Sequence, residues 1–370
     1  MKKILFITNI PAPYRIDFFN ALGKKYDLTV LFEARRAAGI RFNWNEGSIH
    51  NFRAIFLSDG IIDEKRINFR IFDYLKAERY DHIVATSYGY YTEMAALFYL
   101  IARKLPYYLE LDGGVVRAGE GMLKRRVKQR LIRSAEGYFS SSAVTDAVLT
   151  HYGASMEKIR RYPFTSLTEA DILKTPPTSA EKAAAKAALG IREKTMVLGV
   201  GQFIHRKGFD VLLKAAQLLP DDTAVCLAGA EPTEALMKLC NTLPNVHFAG
   251  FLSKHALTRY FCAADVFALP TREDMWGLVI NEALANALPV VTTDKCVAGT
   301  ELVFDGENGF LVPIEDEQAL AGRLNQLIEN AALRERMAGE ALKRIAPYTI
   351  DGMVGAHERV FENTEAYNGQ

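Results

Sequence analysis

The sequence predicts an α/β protein made of two doubly wound parallel-sheet domains. Three observations predict it: the length, a strand–helix alternation that runs through the chain twice, and a proline-marked break between the two runs. The chain has 370 residues, 49% of them apolar, which is more than one core usually serves and enough to fill two. Short apolar runs alternate with helical stretches, the pattern of a parallel sheet covered by helices on both faces. The rhythm stops near Pro176 and Pro177 and then begins again.

Taken in order, "KILFIT" is a continuous apolar run that ends in a loop, as a buried parallel strand does. A helix follows from about Arg15 to Lys25, then the strand "DLTVLFE", the strand "HIVATS" and a helix from about Thr92 to Arg103. "YYLEL", a basic helix near 121–134 and "GYFSSS" complete the first series. After the prolines an alanine-rich charged helix leads into "TMVLGVGQF", a helix from Gly208, "AVCLAG", "VHFAG", "ADVFALP", "LPVVTT" and "GFLVP". The boundaries implied are 1–168 and 169–349. The tail from about Asp316 is helical, and periodicity does not assign its end. A helix at about 350–370 is a candidate to pack back on the first domain. Two such domains joined by one linker leave a cleft at the carboxyl ends of their strands, where these sheets bind ligands.

The formal net charge of +1 argues against a nucleic-acid binder that relies on broad phosphate neutralisation. Four separated cysteines (Cys226, Cys240, Cys262 and Cys296) form no CxxC pair and read as small buried residues of a reduced, cytosolic protein. No window of about 18 uninterrupted apolar residues offers a membrane span. The basic start and its apolar run raise a signal peptide, but the run is closed by Asn9, Pro11 and Pro13 without a small-residue cleavage site. A first β-strand and a cytoplasmic location are the expectation.

In "GVGQFIHRKGFD", Gly199 and Gly201 permit close backbone approach, and Arg206 and Lys207 precede a helix opened by Gly208. Two cations beside a helix N-terminus suit an anion, because the free N–H groups and the macrodipole point the same way. An exposed loop with solvated charges is the alternative. The stretch "TREDMWGLVINEALANALPVV" adds a second such turn. Gly277 falls where a strand-to-helix turn belongs, with Trp276 and Leu278 on either side. Glu282 lies about 7 Å further along the helix axis, roughly the separation of a diphosphate from a ribose. A carboxylate there can accept from both ribose hydroxyls. Asp274, on the loop side, faces the other end of such a ligand.

At these residues a resemblance becomes plain. "LPTREDMWGLVINEALANALPVV" followed by "GTELVFDGENGFLVP" resembles the donor-binding module of the retaining glycosyltransferases of family 4, which have the GT-B fold (glycosyltransferase group 1 type). "VGQFIHRKGFDVLLKA" is similar to that family's phosphate loop. The resemblance spans the second domain and extends more loosely over the first. It implies transfer from a nucleotide sugar, most often a UDP-sugar, with retention and without a metal or other cofactor. It implies that Lys207 and Arg206 hold the diphosphate, that Gly277 and Leu278 offer it backbone N–H groups, that Glu282 binds the ribose and that Asp274 meets the transferred sugar. Gly201 and Trp276 join these as candidate donor contacts. Two positions depart from the pattern: Asp274, beside Glu273, stands where the family has Glu, and Gln202 where it has Arg.

In the first domain, "LELDGG" puts Asp112 at the cleft end of a strand, able to stabilise oxocarbenium charge or orient an acceptor hydroxyl. A plain Asp-Gly-Gly turn is the alternative. Tyr14 and Arg15, in the loop after the first strand, are candidates for phosphate or acceptor contacts. The helix "MLKRRVKQRLIRS" has six cations and no acid, with Leu123, Val127 and Leu131 on one side. It can lie on an anionic membrane surface, which suits a polyprenyl-diphosphate-linked acceptor, or pack its stripe on the sheet. The expected function is sugar transfer to a hydroxyl of a glycan or lipid-linked acceptor, in polysaccharide or glycoconjugate synthesis and with peripheral attachment to the inner face of the cell membrane. A nucleotide-sugar 2-epimerase of the same fold and a non-catalytic nucleotide-sugar-binding protein are the alternatives.

Overall fold

The computed structural model describes residues 1–38, 48–77, 79–116, 119–240 and 243–362. The chain separates into two compact units, Met1–Ser166 with Tyr348–Gln370, and Leu167–Pro347.

The first unit runs β1 (Lys3–Thr8), α1 (Pro13–Leu22), β2 (Asp27–Phe32), β3 (Arg53–Phe56), α2 (Ile71–Ala77), β4 (His82–Ala85), α3 (Tyr91–Ala102), β5 (Tyr108–Leu111), α4 (Met122–Arg133), β6 (Gly137–Ser140), α5 (Ala143–His151) and β7 (Ile159–Arg161). Its seven strands are parallel, in the order β3-β2-β1-β4-β5-β6-β7. The second runs α6 (Ser179–Ala188), β8 (Thr195–Val200), α7 (Phe209–Ala216), β9 (Thr223–Ala228), α8 (Glu234–Cys240), β10 (Val246–Gly250), α9 (Lys254–Ala263), β11 (Val266–Leu269), α10 (Leu278–Ala285), β12 (Val290–Thr293), α11 (Val297–Leu302), β13 (Gly309–Val312), α12 (Glu317–Glu329) and α13 (Ala331–Ile345). Six parallel strands lie in the order β10-β9-β8-β11-β12-β13. Both sheets are doubly wound, as the alternation predicts.

The central strands are buried on both faces, which is why they read as unbroken apolar runs. All residues of β8, β9, β11 and β12 are buried. The first helix starts two residues earlier than its sequence signal, at Pro13, because proline's fixed φ and missing N–H suit the first helical turn. It ends at Gly23, where a Cβ would meet the Asn51 carbonyl oxygen at 2.0 Å. The helix α14 (Ile350–Phe361) joins the first unit by packing His357 and Phe361, both fully buried, against Phe18, Phe139 and Tyr26.

The basic helix α4 divides its apolar stripe. Leu131 is fully buried and Val127 packs against the core, whereas Leu123 and Met122 are 79% and 76% exposed. The stripe is therefore packed at its carboxyl end and bare at its amino end. Lys128 is half-buried and paired with Glu120 at 2.5 Å, while Lys124, Arg125 and Arg126 are exposed. Among the described residues no helix is long and apolar enough to cross a membrane.

Candidate functional site

In the second sheet the strand order reverses between β8 and β11, and the loops leaving such neighbours frame the ligand crevice of a doubly wound sheet. Those loops, 201–208 and 270–277, and the first residue of α10 carry Gly201, Arg206, Lys207, Asp274, Trp276, Gly277 and Leu278. Topology alone brings them together.

Arg206 and Lys207 form a single 3-10 turn with His205, closed by Gly208 at φ 69°. A Cβ on Gly208 would stand 2.0 Å from the Pro270 carbonyl oxygen, so glycine is what lets the two loops meet. Arg272 then fastens them. Its amide donates to the Arg206 carbonyl at 2.8 Å, and its guanidinium grips Asp210 through both terminal nitrogens at 2.9 and 2.8 Å. The Thr271 hydroxyl donates to the same Arg206 carbonyl at 2.8 Å. Bidentate arginine–carboxylate pairs fix orientation as well as distance.

Asp274 sits between the two cations. Its Oδ1 accepts from Arg206 at 3.0 Å and its Oδ2 pairs with Lys207. Glu273 contributes only its backbone carbonyl, which accepts from Arg206 at 2.7 Å and from Thr271 at 3.1 Å. Of the two adjacent acids, Asp274 is the one whose carboxylate meets the cations. Two positive groups against one carboxylate leave a net positive site beside the start of α10. That helix has no side-chain cap at its N-terminus, so its first N–H groups are left for another acceptor. Gly277 opens it at φ 101°, and a Cβ there would meet Cys296 Sγ at 2.7 Å.

Glu282 lies on α10, and no hydrogen bond reaches its carboxylate among the described residues. Burial pushes it up to about 7, with Lys254 opposing and Asp171 adding to the shift. Two candidates are placed differently from expectation. Trp276 is 4% exposed and its indole N–H donates to Asn281 at 2.8 Å, so its ring supports the loop from inside rather than meeting a ligand. Gly201 spends its N–H on the Ala228 carbonyl at 2.9 Å, which takes that amide away from any phosphate.

In the first unit Asp112 follows β5 and is held by three residues. Arg15 Nη2 reaches its two oxygens at 2.6 and 2.7 Å, the Tyr162 hydroxyl donates at 2.7 Å and the Tyr14 hydroxyl at 3.2 Å. Burial raises its pKa, Arg15 works against this and Glu110 adds to it. Arg15 itself is 3% exposed and committed to Glu110 and Asp112. Arg15, expected to make phosphate or acceptor contacts, lies buried with its guanidinium shared by two carboxylates. Burial pushes Glu110 up, but Arg15 and His357 outweigh it and hold the carboxyl at about 2. His357 Nδ1 faces the Met353 carbonyl at 2.8 Å and Nε2 faces Glu110 at 3.1 Å. The result is a buried cluster in which Arg15 joins two carboxylates, with His357 against Glu110 and Asp112 at its partly exposed end.

Sequence reasoning missed Arg272, Asp210, Glu110 and His357. Glu110 carried a signal, since an acid inside an apolar strand requires a cationic partner. Its two partners come from distant segments and cannot be named from spacing.

Residues 181–344 match the family model described as glycosyl transferases group 1. The chain is 35% identical over 147 residues to the lipopolysaccharide core biosynthesis glycosyltransferase LpsE of Rhizobium meliloti, covering 39% of this chain and 42% of that protein. It is 31% identical over 246 residues to the D-inositol 3-phosphate glycosyltransferase of Corynebacterium diphtheriae, covering 62% and 56%. The chain thus spans about half the length of the curated relatives it matches. Among solved structures it is similar to HepE of Anabaena in complex with UDP, with a TM-score of 0.79 at 19% identity over 99% of this chain and 100% of that one. It is also similar to the sucrose-phosphate synthase of Thermosynechococcus elongatus, with a TM-score of 0.76 at 19% identity and the same coverage. The chain has the GT-B fold, and residues 181–344 of its second unit are similar to the glycosyl transferases group 1.

Proposed function

We propose that the chain is a retaining glycosyltransferase of family 4 that moves a sugar from a nucleoside diphosphate to an acceptor hydroxyl. The observation that carries this reading is Asp274 held between Arg206 and Lys207 beside the uncapped N-terminus of α10. The diphosphate lies against the cations and the first α10 amides, and the ribose against Glu282. The bond from the anomeric carbon to the diphosphate oxygen breaks while the acceptor oxygen bonds to the same face of the sugar. The acceptor proton passes to the departing phosphate. Arg206, Lys207 and the helix amides neutralise the charge that develops on the leaving group, which is where preorganised donors contribute most. A divalent ion is not required for that role. HepE of Anabaena holds UDP in its crystal structure, and several relatives are named for lipopolysaccharide or inositol phosphate glycosylation, which supports a UDP-sugar and a glycan or lipid-linked acceptor. Acceptor-dependent release of nucleoside diphosphate tests the reading. Release of an altered nucleotide sugar without acceptor favours the 2-epimerase instead.

Glu282 gives the donor site a pH dependence. Ribose hydroxyls donate to the ionised carboxylate, whereas burial favours the protonated form and puts the group at about 7. Binding therefore strengthens as pH rises through 7. Between pH 6 and 8 the affinity for a nucleoside-diphosphate sugar is expected to rise about tenfold, following the ionised fraction. Glu282→Gln should bind more weakly and lose this dependence. Equal pH profiles in calorimetry would remove Glu282 from the ribose site.

We also propose that α4 rests on an anionic membrane surface. Exposed Met122 and Leu123 stand beside exposed Lys124, Arg125 and Arg126, an apolar wedge flanked by cations. The protein should co-sediment with vesicles containing anionic phospholipid and be released by high salt. Replacing Lys124, Arg125 and Arg126 with Gln should abolish this while transfer to a soluble acceptor continues. Sedimentation indifferent to lipid charge would contradict it.

A further inference from the structure

A cavity of about 410 Å³ lies within the first unit, walled by segments that directly follow β2 and β3 and by the first turn of α3. It therefore opens at the carboxyl end of the sheet, the end at which doubly wound sheets take ligands, and its size falls in the small-ligand range of roughly 300–1,000 Å³. None of the donor-site residues lines it.

Its wall brings together Glu33, Asp63, Arg66, Asn68, Phe69 and Arg70. The two acids and two arginines balance, which favours neither a strong anion nor a strong cation. What the wall offers is a mixture of donors and acceptors of planar geometry. Phe69 adds a flat apolar face and is 71% exposed, although aromatic rings of this size are usually covered. Asn68 is anchored through its Nδ2 to the Leu57 carbonyl at 2.8 Å, and Arg70 bonds the same carbonyl at 3.1 Å, so these two are held ready in place. Arg66 makes no side-chain bond among the described residues.

One acid of the wall is unsatisfied. Glu33, which lines the cavity, is 6% exposed, and Glu93, next to the lining residue Thr92, is 1% exposed; among the described residues neither carboxyl has a hydrogen-bond partner of ordinary geometry on either oxygen. Burial pushes Glu33 up to about 6 and Glu93 up to about 8, each raised further by acidic neighbours. Thr92 works against the shift of Glu33 and Ser87 against that of Glu93. Native proteins rarely leave buried acceptors unpaired, and a Glu33 carboxylate ionised at neutral pH needs a donor more than any other group here.

We propose that this cavity binds a pyranose of the acceptor, with Phe69 against the sugar's apolar face and Glu33, Asn68 and the arginines on its hydroxyls. Balanced charge, planar polar groups and one bare aromatic ring fit a neutral polyol that has a flat apolar side. The assignment rests on the reading of the chain as a glycosyltransferase, and it names a part of the acceptor site that is separate from Asp112.

Binding to a printed array of bacterial glycans, with the full-length protein and no nucleotide present, tests it. Wild type should be retained on a subset of glycans. Phe69→Ala, at an exposed position, should lower that signal at least tenfold, and Glu33→Gln should lower it while keeping the wild-type melting temperature. Nucleoside diphosphate binding should be the same in all three proteins. No retained glycan, or retention equal in wild type and both variants, overturns the proposal. If glycans bind with the predicted sensitivity and no sugar is transferred, the site stands and the reaction proposed above falls. If transfer occurs and Phe69→Ala leaves the acceptor KM unchanged, the reaction stands and this site falls.

Discussion

Lys207→Ala is expected to lower turnover by about 10² to 10³-fold, the loss usual when one donor to a developing anion is removed. Lys207 sits on a tight 3-10 turn, and only 12% of its side chain is exposed. Its ammonium is thus held at one place rather than sampling solvent, which is what makes a cation effective against leaving-group charge. The substitution should leave the fold intact. Asp274 keeps Arg206 at 3.0 Å, so no buried carboxylate is orphaned. If Lys207 acts mainly in the transition state, kcat and kcat/KM should fall together. A variant within a few-fold of wild type in steady-state assays would place the diphosphate elsewhere.

Asp274→Asn should be nearly as costly, with a loss of transfer of about 10²-fold. The carboxylate holds Arg206 by one oxygen and Lys207 by the other. An amide offers one acceptor and turns an N–H₂ toward the second cation, so one of the two must move. The backbone is pinned independently, since the Asp274 amide donates to the Lys295 carbonyl at 3.0 Å and its own carbonyl accepts from Val297 at 3.2 Å. The loop therefore stays in position while its charge geometry fails. Affinity for nucleoside diphosphate should change by no more than a few-fold, because the positive charge near the phosphates is undiminished. Glu273→Gln should be mild, since only the Glu273 backbone serves the site. The reverse pattern in kinetics, with Glu273→Gln inactive and Asp274→Asn mild, would contradict this assignment of the two acids.

The central strands are legible in the sequence because both of their faces are buried. "TMVLGV", "TAVCLA" and "VVTT" are continuous apolar runs because helices cover them above and below. β3 and β7, edge strands of four and three residues, are not legible because arginines leave them no continuous apolar run. The donor loops were readable through glycine. Gly208 and Gly277 each adopt a left-handed φ where a Cβ would collide with a neighbouring loop. What a tight turn excludes is visible in one residue, but what it packs against is not. Trp276 reads as a ligand contact in the sequence, whereas the partner its indole N–H takes in the structure, Asn281, cannot be read from a turn. The setting of Arg15 is hidden for a similar reason, since its partners Glu110 and Asp112 lie more than ninety residues away. The basic helix was ambiguous in sequence and divided in fact, because its packing changes from Leu123 to Leu131 within two turns.

The central claim is that loops 201–208 and 270–277 bind a nucleoside diphosphate through the chain's own cations. Calorimetric titration of UDP, GDP and ADP into wild type and Lys207→Ala, with EDTA present throughout, measures this directly. At least one of the three should bind wild type, and its affinity should fall at least tenfold in Lys207→Ala. Absence of binding by all three, or equal affinity for both proteins, would contradict the account.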